Sequence, residues 1–330
     1  MQRVSKNKIT ELKTILTKMS LEVCCALALP EFELSWRDVT KAVRNSKLQM
    51  VPASIARILC RYASSTMSPE ELSDLVARLR LKLIATQTRM WHVIRLTDPI
   101  DEPVDTLSRD LPTRLLQTIR SSKGYRNMRP EVQIVKLSDL IYISVQMLSD
   151  VKDGTVLYMA VPHGQQVALV SAVRSGLLKI CVRGLGYQNY EDVSLNGRDI
   201  DSLLRIYNTG NTGRADHLSG LPEYKVMPVI TKSGIDYTGK TYDEKYVQEV
   251  IGPNPPVLTK LTLTSEKEFF DPERLNKKMK LTVNLKSDDV AKSLCSWAKL
   301  GAIPPTSELF HIFHKIKSNK FSYTADENDL

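Results

Sequence analysis

Between Val132 and Val173 four runs rich in β-branched and aromatic residues follow one another: VQIVKL, LIYISVQML, TVLYMAV and QQVALVSAV. Lys152-Asp153-Gly154 separates the second from the third, and His163-Gly164 the third from the fourth. Both breaks have hairpin-turn chemistry, so the runs read as strands grouped in hairpins. That grammar excludes a doubly wound α/β fold, whose strands alternate with helices. Two later runs, KLTLT and KLTVNL, also read as strands, and YKVMPVI is a further candidate. Helices are expected at Ser202 to Tyr207, at Asp288–Leu300 with Ser287 as cap and Gly301 as stop, and at Ser307–Lys317.

The first 96 residues follow a different period. Ile9, Leu12, Ile15, Leu16 and Met19 fall on one face of a helix, ringed by Lys6, Lys8, Lys13 and Lys18. Ser20 is placed to cap a second helix through LEVCCALAL. A third is expected from Trp36 to Val43, ending at the turn Arg44 to Lys47, and a fourth from Pro52 to Tyr62. Ser68-Pro69-Glu70-Glu71 is a capping box with proline at the first helical position, and its helix is expected to run past Trp91 towards Leu96. The expected class is α+β: a helical bundle over 1–96, a linker and helix over 97–130, and an α+β domain with an antiparallel or mixed sheet over 131–330.

Charge is distributed unevenly. The chain carries a formal +9, and residues 1–95 hold 16 Lys and Arg against 8 Asp and Glu, a net +8. A basic helical third in front of a near-neutral remainder points to an acidic partner, of which nucleic acid is the commonest. The five cysteines (Cys24, Cys25, Cys60, Cys181, Cys295) are odd in number and sit in apolar contexts, as buried reduced thiols of an intracellular protein do. MQRVSKNKITELK has no apolar run, so no secretory leader is expected. No apolar stretch approaches the roughly 20 residues of a membrane span.

Motifs of catalysis are few. The run GIDYTGKT, Gly234 to Thr241, matches the Walker A pattern letter for letter. A phosphate cradle is built from backbone N–H groups on small residues at a helix N-terminus, whereas here it would hold Asp236 and Tyr237. The proposed preceding strand contains Pro228, and only 89 residues follow Thr241, too few for the usual parallel sheet. A P-loop enzyme is the weaker alternative; a chance match is the reading adopted. His311 and His314 are one helical turn apart with no third ligand, beside Phe310 and Phe313, which suits packing. His92 beside Trp91 reads the same way, His163 in its Pro162-His163-Gly164 turn reads as a surface residue, and Gly184-Leu185-Gly186 lacks the third glycine of a dinucleotide fingerprint. No cofactor, no metal and no enzyme activity are expected.

The chain resembles the centromere protein N (CENP-N) family of inner-kinetochore subunits. The likeness rests on KTILTKMSLEV, TRMWHVIRL, VLYMAVPHGQQVALVSAV followed by RSGLL, and SLNGRDIDSLLRIY, close to that family's Leu-x-x-Arg-x-x-Asp-Ser-Leu stretch. It continues through VQEVIGPNPPVL, DDVAKSLCSWAKLGAIPPTSELFHIF and SNKFSY, in family order over nearly the whole chain. The resemblance implies a pyrin-like (death-domain-like) bundle, a C-terminal domain shared with CENP-L, and a heterodimer with a CENP-L-like partner. It also implies nuclear, centromeric work beside other inner-kinetochore subunits, and one positive groove of both domains on nucleosomal or linker DNA. By position the DNA-binding residues would be Lys13, Lys18, Arg44, Lys47, Arg89, Arg174 and Arg198. Partner docking would fall to Leu294, Trp297, Leu309 and Phe313, with domain core as the alternative for them. The family reads a loop of the centromeric histone variant CENP-A through acids at the start of its first helix. Here that stretch is MQRVSKNKITE, with Glu11 as its only acid, so histone reading does not carry over. A generic helical DNA- or RNA-binding adaptor outside the kinetochore is the alternative.

Overall fold

A computed structural model describes residues 2–87, 89–100, 110–125, 127–149, 154–211, 223–225, 229–231, 234–236, 240–252, 254–269, 277–307, 309–310, 313 and 316–324. The fold is α+β. The linker at 101–109, Lys152 and Asp153, the loop at 212–222, Val226 to Pro228, Tyr237 to Gly239, His311, His314 and the tail at 325–330 lie outside the described residues. The chain divides into two units: Met1–Thr88 with Leu96–Tyr190, and Arg89–Arg95 with Glu191–Leu330.

The first unit opens with helices. α1 (Gln2–Lys18) buries Leu12, Ile15 and Leu16, with Met19 following, as its period predicts. Ser20 accepts the Val23 N–H and caps α2 (Leu21–Val23), which runs on as a π-helical turn, Cys24–Ala28, and a 3-10 turn, Leu29–Phe32. Pro30 has no N–H for an i→i−4 bond, so an α-helix cannot continue through it. α3 (Trp36–Asn45) and α5 (Pro69–Thr86) both begin with complete capping boxes, Ser35/Asp38 and Ser68/Glu71; α4 is Pro52–Thr66.

α5 is buried on two sides. Leu72, Leu75, Val76, Leu79 and Leu83 belong to the bundle core. Ala77 and Leu81 are as deeply buried but lie outside that cluster. They match the packing of α5 on strands β2 (Arg129–Leu137) and β3 (Leu140–Leu148). The bundle therefore shares its last helix with the sheet.

α5 also stops earlier than its capping box and apolar period suggest. Residues Trp91–Pro99 form β1, not a continued helix. Trp91, Val93 and Ile94 are buried around half-buried His92, and the Leu96 N–H donates to the Gln166 carbonyl at 3.0 Å. Sheet partners distant in sequence supply the backbone bonds that a helix would have made locally.

β2, β3, β4 (Leu157–Pro162) and β5 (Val167–Val170) form the expected antiparallel meander, in a six-stranded sheet ordered β2-β3-β4-β5-β1-β6. β6 (Tyr187–Gly197), unforeseen from its polar sequence, completes it. β1 as far as Arg95 and β6 from Glu191 belong to the second unit. α6 (Leu111–Ser121) packs on α7 (Gly176–Gly184), and a Cβ at Gly184 would stand 2.5 Å from Leu115 Cδ2. Gly186 follows at φ 96°, a left-handed position that glycine adopts without strain. Gly184-Leu185-Gly186 thus closes a helix and opens a strand, the reverse of a dinucleotide loop.

In the second unit, α8 (Ile200–Asn211) covers the expected Ser202 to Tyr207 helix. β7 (Val229–Thr231) and β8 (Gly234–Asp236) make a small hairpin, followed by α9 (Lys240–Ile251). β9 (Lys260–Phe269) lies between antiparallel β10 (Lys277–Lys286) and parallel β11 (Lys320–Thr324). α10 (Val290–Lys299) is capped by Asp289, whose side chain accepts the Lys292 N–H, and not by Ser287 as expected. The Ser287 hydroxyl is instead engaged with Ser293 and the Asp289 N–H. Of the expected Ser307–Lys317 helix, Leu309, Phe310 and Phe313 are helical and Ile316 is not. Buried Asn319 joins β6 to β9: its side chain accepts the Asn196 N–H and donates to the Lys260 carbonyl. Among the described residues no helix is long and apolar enough to cross a membrane.

Candidate nucleic-acid interface

α3 sorts its residues sharply. Val39 and Val43 are buried, while Arg37, Lys41 and Arg44 are exposed at i, i+4 and i+7, so the three cations share one outward face. Asp38 does not neutralise them by contact: its carboxylate accepts from Ser35, and these bonds hold it below the usual carboxylate range. The helix ends in a Schellman turn. The Leu48 N–H donates to the Val43 carbonyl at 3.1 Å and the Lys47 N–H to the Arg44 carbonyl at 2.9 Å. Lys47 holds φ 53° there, a left-handed position that usually falls to glycine. The negative end of the helix dipole favours a cation at this position, which offsets part of the backbone cost.

α4 packs against both α1 and α3. It buries Ile55, Ala56, Leu59, Cys60 and Ala63, which leaves Ala53, Arg57, Arg61 and Ser64 as its exposed stripe. On α1, Lys13 and Lys18 are exposed. Burial pushes the Cys60 thiol up to about 11, while the field of Lys13 pulls it back, which puts that ammonium near α4. Lys13, Lys18, Arg37, Lys41, Arg44, Lys47, Arg57 and Arg61 form no ion pair among the described residues. Arg57 and Arg61, like charges one turn apart, cost a few tenths of a kcal/mol to keep adjacent. Sequence reading passed over them and over Arg37 and Lys41; the signal was their i, i+4 spacing opposite buried positions.

Other cations of the bundle serve its structure. Arg78 and Lys82 both grip Glu31, at 2.9 and 2.6 Å, and Arg80 holds Glu11 and the Gln146 side chain. Burial works to raise Glu31, but the hydrogen bonds and charges of Lys82 and Arg78 outweigh it and hold the carboxyl below its usual range. A depressed carboxyl contributes stability that is complete above about pH 4.3 and is lost as pH falls through its lowered folded value. Glu31→Gln should therefore destabilise the neutral protein by about 1–3 kcal/mol and flatten the acid limb of its stability curve. Urea melts at pH 7 and pH 3 check this; equal losses at both would refute it.

Of the seven cations named from the sequence, Lys13, Lys18, Arg44, Lys47 and Arg174 belong to the first unit, and Arg89 and Arg198 to the second. All are exposed except half-buried Arg89; Arg174 sits on the turn between β5 and α7. Of the four docking candidates, Leu294 and Phe313 are core of the second unit, Leu309 is half-buried and Trp297 is exposed. Exposed apolar side chains of the second unit that the sequence did not single out include Leu300, one turn from Trp297, and Leu281 and Val283 on β10.

The Walker-like run divides between elements. Gly234, Ile235 and Asp236 pair with β7 in a two-stranded ladder, so they do not form the open loop of a phosphate cradle. Lys240 opens α9. Burial pushes the Cys24 thiol to about 11 and Cys181 to about 12, the opposite of an activated nucleophile. All five cysteines are free, and no group of His, Cys, Asp and Glu among the described residues could hold a metal ion. Comparison with protein-family models finds no match, and comparison with curated proteins finds none either.

Proposed function

We propose that this chain is a non-catalytic, DNA-binding adaptor of the inner kinetochore, related to the CENP-N family, which grips nucleosomal or linker DNA. The observation that carries the DNA-binding half is the set of exposed cations on α1, α3 and α4 that form no ion pair among the described residues. Such a surface neutralises phosphates and releases condensed counterions without needing any base-reading geometry. The kinetochore half rests on the ordered resemblance of sequence segments, and with it come a pyrin-like bundle and a CENP-L-like partner. Exposed Trp297, Leu300, Leu281 and Val283 suit the partner's docking surface on the second unit. The centromeric histone variant is left out, because Glu11, the acid that would read it, is engaged by Arg80 and Lys8.

The full chain should bind duplex DNA with little sequence preference, losing about 10³–10⁴-fold in affinity between 50 and 200 mM salt. Arg174→Glu and Arg198→Glu should each make the salt slope shallower by about one and leave the melting temperature unchanged. Fluorescence anisotropy with a labelled duplex across a salt series reads all of this. Binding that is flat with salt would remove the DNA half. Failure of the tagged protein to co-purify with a CENP-L-like chain from mitotic cells would remove the kinetochore half.

A further inference from the structure

β2 ends the six-stranded sheet, paired with β3 along one side. The register fixes which of its backbone groups face outward. The Met147 carbonyl of β3 accepts the Gly154 N–H at 2.7 Å, on the side that leads into β4. Its cross-strand neighbour Pro130 therefore stands at a position whose backbone groups point away from β3. Proline, with no N–H to give, suits that position. Two and four residues on, Val132 and Ile134 likewise direct their N–H and C=O outward. Among the described residues no turn or loop backbone bond engages either of them.

A cleft of about 1140 Å³ runs along this edge, inside the first unit. Arg129, Pro130, Glu131, Val132 and Gln133 all line it. Residues of both alternating sets of β2 line it together with Gln146 and Leu148, the β3 partners of Glu131 and Arg129, so it opens over one face of the sheet and reaches the β2 edge. Five residues span roughly 17 Å, enough for an extended peptide segment. The opposite wall comes from α1, from α5 as far as Arg80, and from Leu116 of α6.

Its charge selects the occupant. Glu11 is consumed by Arg80 and Lys8. Glu70 and Asp74 are exposed in the wall without an ion pair among the described residues, and Glu131 Oε2 is sealed from solvent with no hydrogen-bond partner. Against these three carboxylates Arg129 is the one cation of the lining without an ion pair among the described residues. Glu70 and Asp74 are the acceptors open to an incoming ammonium or guanidinium, as charge-assisted hydrogen bonds. A second copy of this chain would bring the same three carboxylates up to their own likeness. We propose that the β2 edge binds an extended, lysine- or arginine-bearing segment of a partner protein, which adds to the sheet as a further strand. Main-chain bonds to Val132, inside the cleft, and to Ile134 just beyond it would hold it, and Glu70 and Asp74 would choose its cations.

The test uses the full chain and a labelled nonapeptide of alternating Lys and Val. Its two controls are the same peptide N-methylated at alternate backbone nitrogens, and a version with Glu in place of Lys. Both controls should bind at least about tenfold more weakly than the parent. Val132→Pro should lose the parent peptide by a similar factor with an unchanged melting temperature, because the N–H it removes is outside the β2–β3 ladder. Should that variant fold poorly, the surface pair Glu70→Lys and Asp74→Lys must weaken the parent peptide by about tenfold or more. Equal binding of the N-methylated peptide, or full binding by either protein variant, overturns the proposal. A dimer of the protein alone that Val132→Pro dissolves in sedimentation would overturn it in favour of self-pairing.

Discussion

Reversing Arg37, Lys41 and Arg44 together to glutamate should lower DNA affinity by about 10²–10³-fold at low salt and make the salt slope shallower by about three. The three side chains share the outward face of α3, while the apolar side of that helix stays buried. No described carboxylate neutralises them by contact, so their charge is available to phosphates. Stability should move little, since exposed charge changes cost within about 0.5 kcal/mol each. The comparison variant is Arg78→Glu with Lys82→Glu. Both side chains are committed to Glu31, so this pair should destabilise the bundle before it alters the DNA surface. Anisotropy titrations from low to physiological salt, with a thermal melt of each variant, separate the two effects. A triple variant that binds as tightly as wild type would show that DNA, if bound at all, sits elsewhere.

Leu81→Ala should destabilise the first unit by about 3 kcal/mol, within the range for truncating a fully buried leucine. Leu81 lies outside the bundle's own core cluster, on a helix that also packs on β2 and β3. Its loss opens a cavity on the sheet side of α5 and weakens bundle and sheet together. The bundle should therefore melt with the sheet in one transition, some 6–12 °C lower for a unit of this size. For the same reason a fragment ending at residue 96 should be poorly folded, because it strips the cover from Ala77 and Leu81. Far-ultraviolet dichroism of the variant, followed through melting, decides it. A loss below about 1 kcal/mol, or a bundle that melts separately from the sheet, would contradict the shared helix.

Sequence period alone located most of the elements. The runs VQIVKL and LIYISVQML became β2 and β3 because β-branched and aromatic residues between turn signals fit a pleated surface. Capping chemistry is equally local, and Ser68 with Glu71 marked the start of α5 because both partners lie within one turn. The cationic character of residues 1–95 was also legible, since charge needs only counting. Which cations are available was not. Arg78, Arg80 and Lys82 look like Arg44 on the page, yet they meet Glu31 and Glu11 only after the chain has folded over 47 to 69 residues of separation.

The sequence by itself determined the helical periodicity, the meander and the excess of basic residues, because each depends on neighbours within a few positions. Tertiary structure alone decided that residues 91–99 are a strand, that α5 belongs to bundle and sheet at once, and that Val132 and Ile134 face an open edge. Those outcomes depend on backbone hydrogen bonds and buried surface supplied by segments far along the chain, which no local pattern encodes.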